Sequence, residues 1–402
     1  MKRFRPALLR GTIAACSLLP AAGAELFPPQ RLARIQQGLR DIYNLEYARA
    51  AENFQGLIRE APDDPAGYAY LATTYWVQEL SAKQELSIDR FAASDFFSEL
   101  PKYSLRVDPA VEQRLRGLSA QAIEKARARL TRNPGDATAQ FLLGLGYQNL
   151  ASFEAALKRS WWSAVRHGSK TYRYHRELLR RDPNFHEARL TTGVYNYVAG
   201  SLGWNVKWIA FLMGYRGSRQ RGKEELHIAA EKASLVGDDA RVMLALIYTR
   251  ERDYQKALDQ LGELHKKYPQ NYLLHLDMGG MTLLMNRPEG AAEIYQEILR
   301  KREAQEPKYA ALERAALYNR LGVAFRHKGG HAAAAGWFGR SLAEAGVSAR
   351  SATIGRLELG KTLDLMGRRE QAREHYRAVA AAEDVAGSRE EAQQLLRRAF
   401  RQ

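Results

Sequence analysis

An all-α solenoid of stacked antiparallel helix pairs is the fold this chain predicts, and three observations carry it. The first is a repeated ladder: Ala257, Leu261 and Leu264 run into Pro269, and one period later stand Ala291, Tyr295 and Ile298. Each ladder follows a matching partner, Leu244-Ala245-Tyr248 and Met278-Gly279-Thr282. A fixed step from Ala257 to Ala291 is one supersecondary unit copied along the chain. The second is the spacing within a unit. Tyr254, Ala257, Leu258, Leu261 and Leu264 fall at i, i+3, i+4, i+7 and i+10, one apolar stripe of a helix. The third is composition: alanine, leucine, arginine and glutamate dominate, as helices prefer, and no alternating Val/Ile/Thr pattern of useful length occurs.

The start of the chain, 1–24, stands apart from this pattern. Lys2, Arg3, Arg5 and Arg10 precede a mostly apolar stretch, and Ala22-Gly23-Ala24 is a small-x-small site. This reads as a secretory signal peptide cleaved after Ala24, and export to the periplasm is the expectation. Ile13-Ala14-Ala15-Cys16 resembles a lipoprotein box, but Arg10 leaves only about five apolar residues where 7–15 are usual, so lipidation at Cys16 is the weaker alternative. Cys16 is the only cysteine. A chain cut after Ala24 has no thiol for disulfides, catalysis or metal binding. The leader takes 4 of the 61 basic residues and no acids, leaving 57 against 45, or +12. Beyond it no run approaches the 18 or so apolar residues of a spanning helix.

The repeat units follow in order. Gly38, Ala50, Phe54, Leu57 and Pro62 form the first, and Tyr68, Leu71, Ala72 and Tyr75 begin the next. Ala122 and Pro134 close a degenerate unit, Leu143, Gly144, Tyr147 and Ala156 begin another, and Gly193 restarts the frame after Pro183. Tyr318, Leu321, Gly322, Phe325, Ala334 and Phe338 follow the two best copies; Leu359, Gly360, Leu363, Ala372, Tyr376 and Val379 make the last. This pattern resembles the tetratricopeptide repeat (TPR), a helix-turn-helix of about 34 residues. The resemblance implies a protein–protein interaction scaffold, with a partner peptide or helix in a concave groove, no enzymatic activity and no cofactor. The segment from Tyr147 to Tyr248 is similar to exported bacterial TPR proteins without an assigned activity. Gly214-Tyr215-Arg216-Gly217-Ser218-Arg219 with Gly222 also resembles the eukaryotic tetratricopeptide-39 and inclusion-body-clearance group, although Ser218 stands where that group has an acid.

The expected organisation is a leader (1–24), N-terminal repeats with divergent helices (25–136), a central degenerate region (137–237) and a regular C-terminal array with a capping helix (238–402). Two features set the centre apart. Lys158, Arg159, Arg166, Lys170, Arg173, Arg176, Arg180 and Arg181 are interrupted only by the acid Glu177 and interleaved with Trp161, Trp162, Tyr172 and Tyr174. Such a run reads first as a helix with a solvated basic face and buried aromatics. It also suits anionic lipid or an envelope polymer, and single-stranded nucleic acid less well in an exported protein. Residues 199–222 then break the rhythm. Trp204, Trp208, Phe211 and Tyr215 share one face if helical, and Arg216, Arg219 and Arg221 follow. These seven are the candidate partner-binding residues. The stretch reads as a structural insert packed into the solenoid, as the wall of a partner groove, or as a shallow membrane anchor. Gly222 is expected to break the chain, with a helix beginning near Lys223 and opened by Glu224 and Glu225.

No constellation of catalytic type is visible. His327 and His331 have the i, i+4 spacing of metal ligands, but Gly329 and Gly330 between them mark a turn. Asp63-Asp64 and Asp238-Asp239 read as helix caps. Ala392, Leu395, Leu396, Ala399 and Phe400 form a final stripe that predicts a terminal capping helix through Phe400.

Overall fold

The computed structural model describes residues 26–83, 86, 88, 107–202, 217–385 and 387–401. The leader lies outside them, as do Trp204, Trp208, Phe211, Tyr215 and Arg216. The described residues form seventeen α-helices and one 3-10 turn, with no strand among them. In chain order the pairs are α1 (Pro29–Tyr43) with α2 (Tyr47–Glu60), α3 (Pro65–Ala82) with α4 (Pro109–Arg132), α5 (Ala137–Ala156) with α6 (Trp161–Arg181), and α7 (Ala188–Gly200) with α8 (Arg219–Lys232). There follow α9 (Gly237–Arg250) with α10 (Tyr254–Lys267), α11 (Tyr272–Leu284) with α12 (Pro288–Glu303), α13 (Arg314–His327) with α14 (His331–Ala343), α15 (Ala349–Leu365) with α16 (Arg369–Ala381), and the single α17 (Ser388–Arg397).

Local chemistry explains the boundaries. Asp64, Asp108, Asp136, Asp253, Asn271 and Ser348 each accept a backbone N–H in the first turn of the helix they precede. Helices α2, α4, α6 and α10 each stop two residues before a proline (Pro62, Pro134, Pro183 and Pro269). The turn expected at Gly329-Gly330 lies between α13 and α14, with Gly329 at φ +82°.

Four of the regular pairs are locked by a glycine on the first helix and an aromatic plug on the second, while α9–α10 has Ala245 and Leu261 at the same spacing. Gly38 faces Phe54, Gly279 faces Tyr295, Gly322 faces Phe338 and Gly360 faces Tyr376, always sixteen residues apart. A Cβ on these glycines would lie 2.3–2.5 Å from the ring, so only glycine lets the helices close to this distance. Phe54, Tyr295, Phe338 and Tyr376 are essentially inaccessible to solvent.

The same lock exposes what is irregular. In α5–α6 the glycine is Gly144 and the plug is His175, nearly twice the regular separation along the chain. The surplus lengthens both helices, and the end of the hairpin packs along α4, where Glu154 meets Arg116 at 2.7 Å and Leu157 is buried. In α7–α8 the separation from Gly193 to Leu226 is just as stretched, with the surplus between Gly200 and Arg219. His175 is held on both sides. Its Nε2 donates to the Phe141 carbonyl (3.0 Å), its Nδ1 faces the Thr191 hydroxyl (2.8 Å), and its ring stacks on Phe141. Burial pushes its pKa down to about 4, against the opposing pull of the Phe141 carbonyl.

The first pair then folds back on the middle of the solenoid. Tyr43 at the end of α1 stacks on Tyr268 at 4.9 Å and donates to Asp239 at 2.6 Å. Its carbonyl accepts from Asn271 at 2.7 Å, and Glu46 pairs with Lys308 at 2.7 Å. Thr138 donates to the Leu26 carbonyl at 2.7 Å. One apolar core runs from Phe27 to Met281 as a result. Helices α5, α7 and α9 have no exposed residue, and α3 has only Gln78 and its last residue, Ala82. The first pair thus covers part of the surface that α9 and the start of α11 present. This also corrects the reading of Asp238-Asp239 as caps. Both lie inside the first turn of α9, where Asp239 meets Tyr43 while Asp238 accepts from Lys267 and Tyr268.

Candidate interaction site

Helix α6 carries the basic run, and its cations are sorted by their partners. Lys158, just before it, pairs with Glu112 at 2.9 Å. Lys170 sits over the Tyr147 ring at 4.8 Å and Arg173 over Tyr174 at 5.1 Å. The aromatics are not all buried as expected: Trp162, in the first turn of α6, is 86% exposed.

On the other side of α6, Tyr172 stacks on Tyr195 of α7 at 3.5 Å between centroids, and burial raises its phenol pKa. Beside this stack lies a cavity of about 230 Å³ between α6, α7 and α8. Arg176, Arg180 and Arg221 line it, with Asn196 and Glu225 among the remaining groups. Glu225 is buried and fixed twice, by Arg221 at 3.0 Å and by the Asn196 amide at 3.2 Å. Arg180 reaches Glu177 at 3.5 Å in an exposed contact, and such pairs are weak. Three guanidinium groups thus stand at a cavity that holds one carboxylate, and Arg180 and Arg221 keep most of their side chains in solvent (72% and 69%). The balance favours an anionic guest, which arginine binds bidentately.

The α7–α8 contact that supports this cavity is made backbone to backbone. A Cβ on Gly222 would lie 2.6 Å from the Tyr197 nitrogen, and one on Gly217 2.6 Å from the Asn196 carbonyl. Gly222 is accordingly not a break. It lies in the first turn of α8, which starts at Arg219 and is capped by Ser218 accepting from Arg221 N–H. The Gly222 N–H is also engaged, donating to the Ser218 carbonyl. Glu224 and Glu225 do not open the helix; they sit beyond its first turn. Of the seven candidate residues, only Arg219 and Arg221 fall among the described ones. Arg219 donates to Ser201 at 3.0 Å and lies over the Tyr197 ring, while Arg221 joins the cavity. Sequence reasoning named Arg176 and Arg180 only as part of a run, and it missed Asn196 and the role of Glu225. The i, i+4 pair Arg221–Glu225 was the one local signal available.

Residues 239–271 match the tetratricopeptide repeat family. The match spans most of α9 and α10, and the glycine-and-plug lock recurs in pairs on either side of them. This stretch is a tetratricopeptide repeat, and the all-helical paired architecture around it is TPR-like. The fold of the chain is similar to yeast Tom70 (12% identity, 90% of this chain and 80% of that one covered, TM-score 0.40). It is also similar to human IFIT1, solved as a dimer with m7Gppp-AAAA (14%, 91% and 82%, 0.41), and to a thermophilic TPR protein of Thermus thermophilus (18%, 62% and 99%, 0.34). No curated protein matches. In TPR terms the arginine cavity lies between the third and fourth repeats, the two whose glycine-to-plug spacing is stretched. TPR folds bind other proteins or peptides and serve as interaction scaffolds. Among the described residues no helix is long and apolar enough to cross a membrane, and no cluster of potential metal ligands occurs.

Proposed function

We propose that this protein is an exported, non-enzymatic scaffold of the bacterial cell envelope that takes an acidic segment of a partner protein at Arg176, Arg180 and Arg221. The observation that carries the reading is the convergence of those arginines from the two stretched repeats onto one cavity. Export rests on the leader at 1–24. The candidate residues Trp204, Trp208, Phe211, Tyr215 and Arg216 enter by sequence alone, since they belong to the segment between α7 and α8.

The test is a crosslinking pull-down from envelope fractions with the intact protein and with a double charge reversal, Arg176→Glu plus Arg221→Glu. The intact protein captures specific envelope proteins and the variant loses them. Capture that is unchanged in the variant, or only background with both, rules the reading out. A second reading, contact with an anionic membrane surface, is favoured by the exposed Trp162 beside exposed Val165 and Arg166 at the end of the hairpin. Vesicle flotation with Trp162→Ala separates the two: binding lost in the variant supports the membrane, and no binding by the intact protein excludes it.

A further inference from the structure

The expected terminal helix through Phe400 ends early, and the reason points to a site. Arg369 of α16 donates to the carbonyls of Leu395 (2.7 Å) and Leu396 (2.9 Å), which satisfies acceptors in the last turn of α17. The backbone leaves the helix at Arg398, in an extended conformation with ψ 129°. The tail then crosses back over the last two helix pairs. The Phe400 N–H donates to Asp364 Oδ2 at 2.8 Å. Its ring lies over the Arg326 guanidinium at 5.5 Å and beside the Lys361 ammonium at 5.7 Å.

The receiving groups are fixed without the tail. Glu358 holds Arg326 at 2.6 Å and Lys361 at 2.7 Å, and Lys361 also meets Glu391 at 2.6 Å. Burial opposes ionisation of Glu358, but Lys361 and Arg326 overcome it and keep its pKa below the usual range. The Asp364 side chain is fully buried and is held by Arg369 and by the Tyr376 hydroxyl. An end cap needs only apolar cover for the last repeat, which Ala392, Leu395 and Leu396 supply. Contact with Arg326, on α13 one repeat further in, is beyond what capping requires.

We infer that Arg326, Lys361 and Asp364 form a binding site for an extended peptide bearing an aromatic side chain, held in this state by the chain's own residues 398–401. The two cations receive the ring, and the carboxylate receives the main-chain N–H of the aromatic residue. An external segment with the same chemistry competes with the tail, which its tether keeps at an effective concentration on the order of millimolar.

The test uses a labelled peptide of this chain's residues 394–402, titrated by fluorescence anisotropy into the intact protein, into Phe400→Ala, and into a chain ending at Arg397. The inference expects binding at least tenfold tighter to both altered chains than to the intact one, and at least tenfold weaker binding by a peptide carrying Phe400→Ala. It is overturned if the altered chains, with melting temperatures near that of the intact protein, bind no tighter, or bind both peptides alike. Should the shortened chain not fold, Phe400→Ala decides alone, because it keeps α17 and the backbone contact to Asp364. The arginine cavity is on other helices, so failure here leaves the proposed function standing, and the reverse also holds.

Discussion

Replacing His175 by phenylalanine tests whether the lengthened third repeat is locked as its regular siblings are. Phe54 and Phe338 fill the equivalent place against Gly38 and Gly322, so the ring fits. Two hydrogen bonds are lost, to the Phe141 carbonyl and the Thr191 hydroxyl, at about 1 kcal/mol each. Against this stands the cost of burying a titratable ring. The folded pKa of about 4 lies below the unfolded value near 6.5. The stability that depends on a neutral His175 is therefore fully present above about pH 6.5 and is lost as pH falls, because the unfolded chain takes the proton first. Between pH 7.5 and pH 5 that loss is about 2 kcal/mol, from roughly 1.5 pH units at about 1.36 kcal/mol each. His175→Phe is expected to be about 1–2 kcal/mol less stable than wild type at pH 7.5 and roughly equal to it at pH 5. Urea unfolding at the two pH values, followed by tryptophan fluorescence, measures the difference. His275, whose pKa burial also lowers to about 4, titrates in both proteins and cancels in the comparison. Parallel pH profiles for the two proteins would refute the buried neutral plug.

Gly222→Ala drives a Cβ into the Tyr197 backbone and is expected to cost about 2–3 kcal/mol, whereas Gly262→Ala in α10, with nothing within 4 Å, is expected to gain about 0.5–1 kcal/mol; denaturation midpoints of the pair decide. Burial raises the Asp239 pKa to about 6, although Tyr43 pulls the other way, so its penalty is absent below about pH 4 and grows to full size above pH 6. Asp239→Asn should therefore raise the melting temperature at pH 8 by the equivalent of about 1–2 kcal/mol, discounted for partial exposure, and leave it unchanged at pH 4; equal shifts at both would place the carboxylate in water.

The regular pairs were legible because each depends on short spacings. Gly279 and Tyr295 are sixteen residues apart, and an apolar stripe with a following proline marks its helix wherever it occurs. The stretched pairs were not. His175 looks like one more polar residue in a basic run, and only its approach to Gly144 shows that it is the plug. The cavity was half legible: Arg221 stood out, but Arg176 and Arg180 lie far before it in the chain, and no local pattern joins them.

By itself the sequence determined the regular helix pairs and showed where their spacing fails, since periodicity, caps and prolines act over a few residues. Tertiary structure alone decided which surfaces remain open. Asp239 and Phe400 are ordinary cap and stripe residues until Tyr43 and Arg326 arrive from other repeats. Those contacts are set by the curvature of the whole stack, a sum of small rotations between repeats that no single unit encodes.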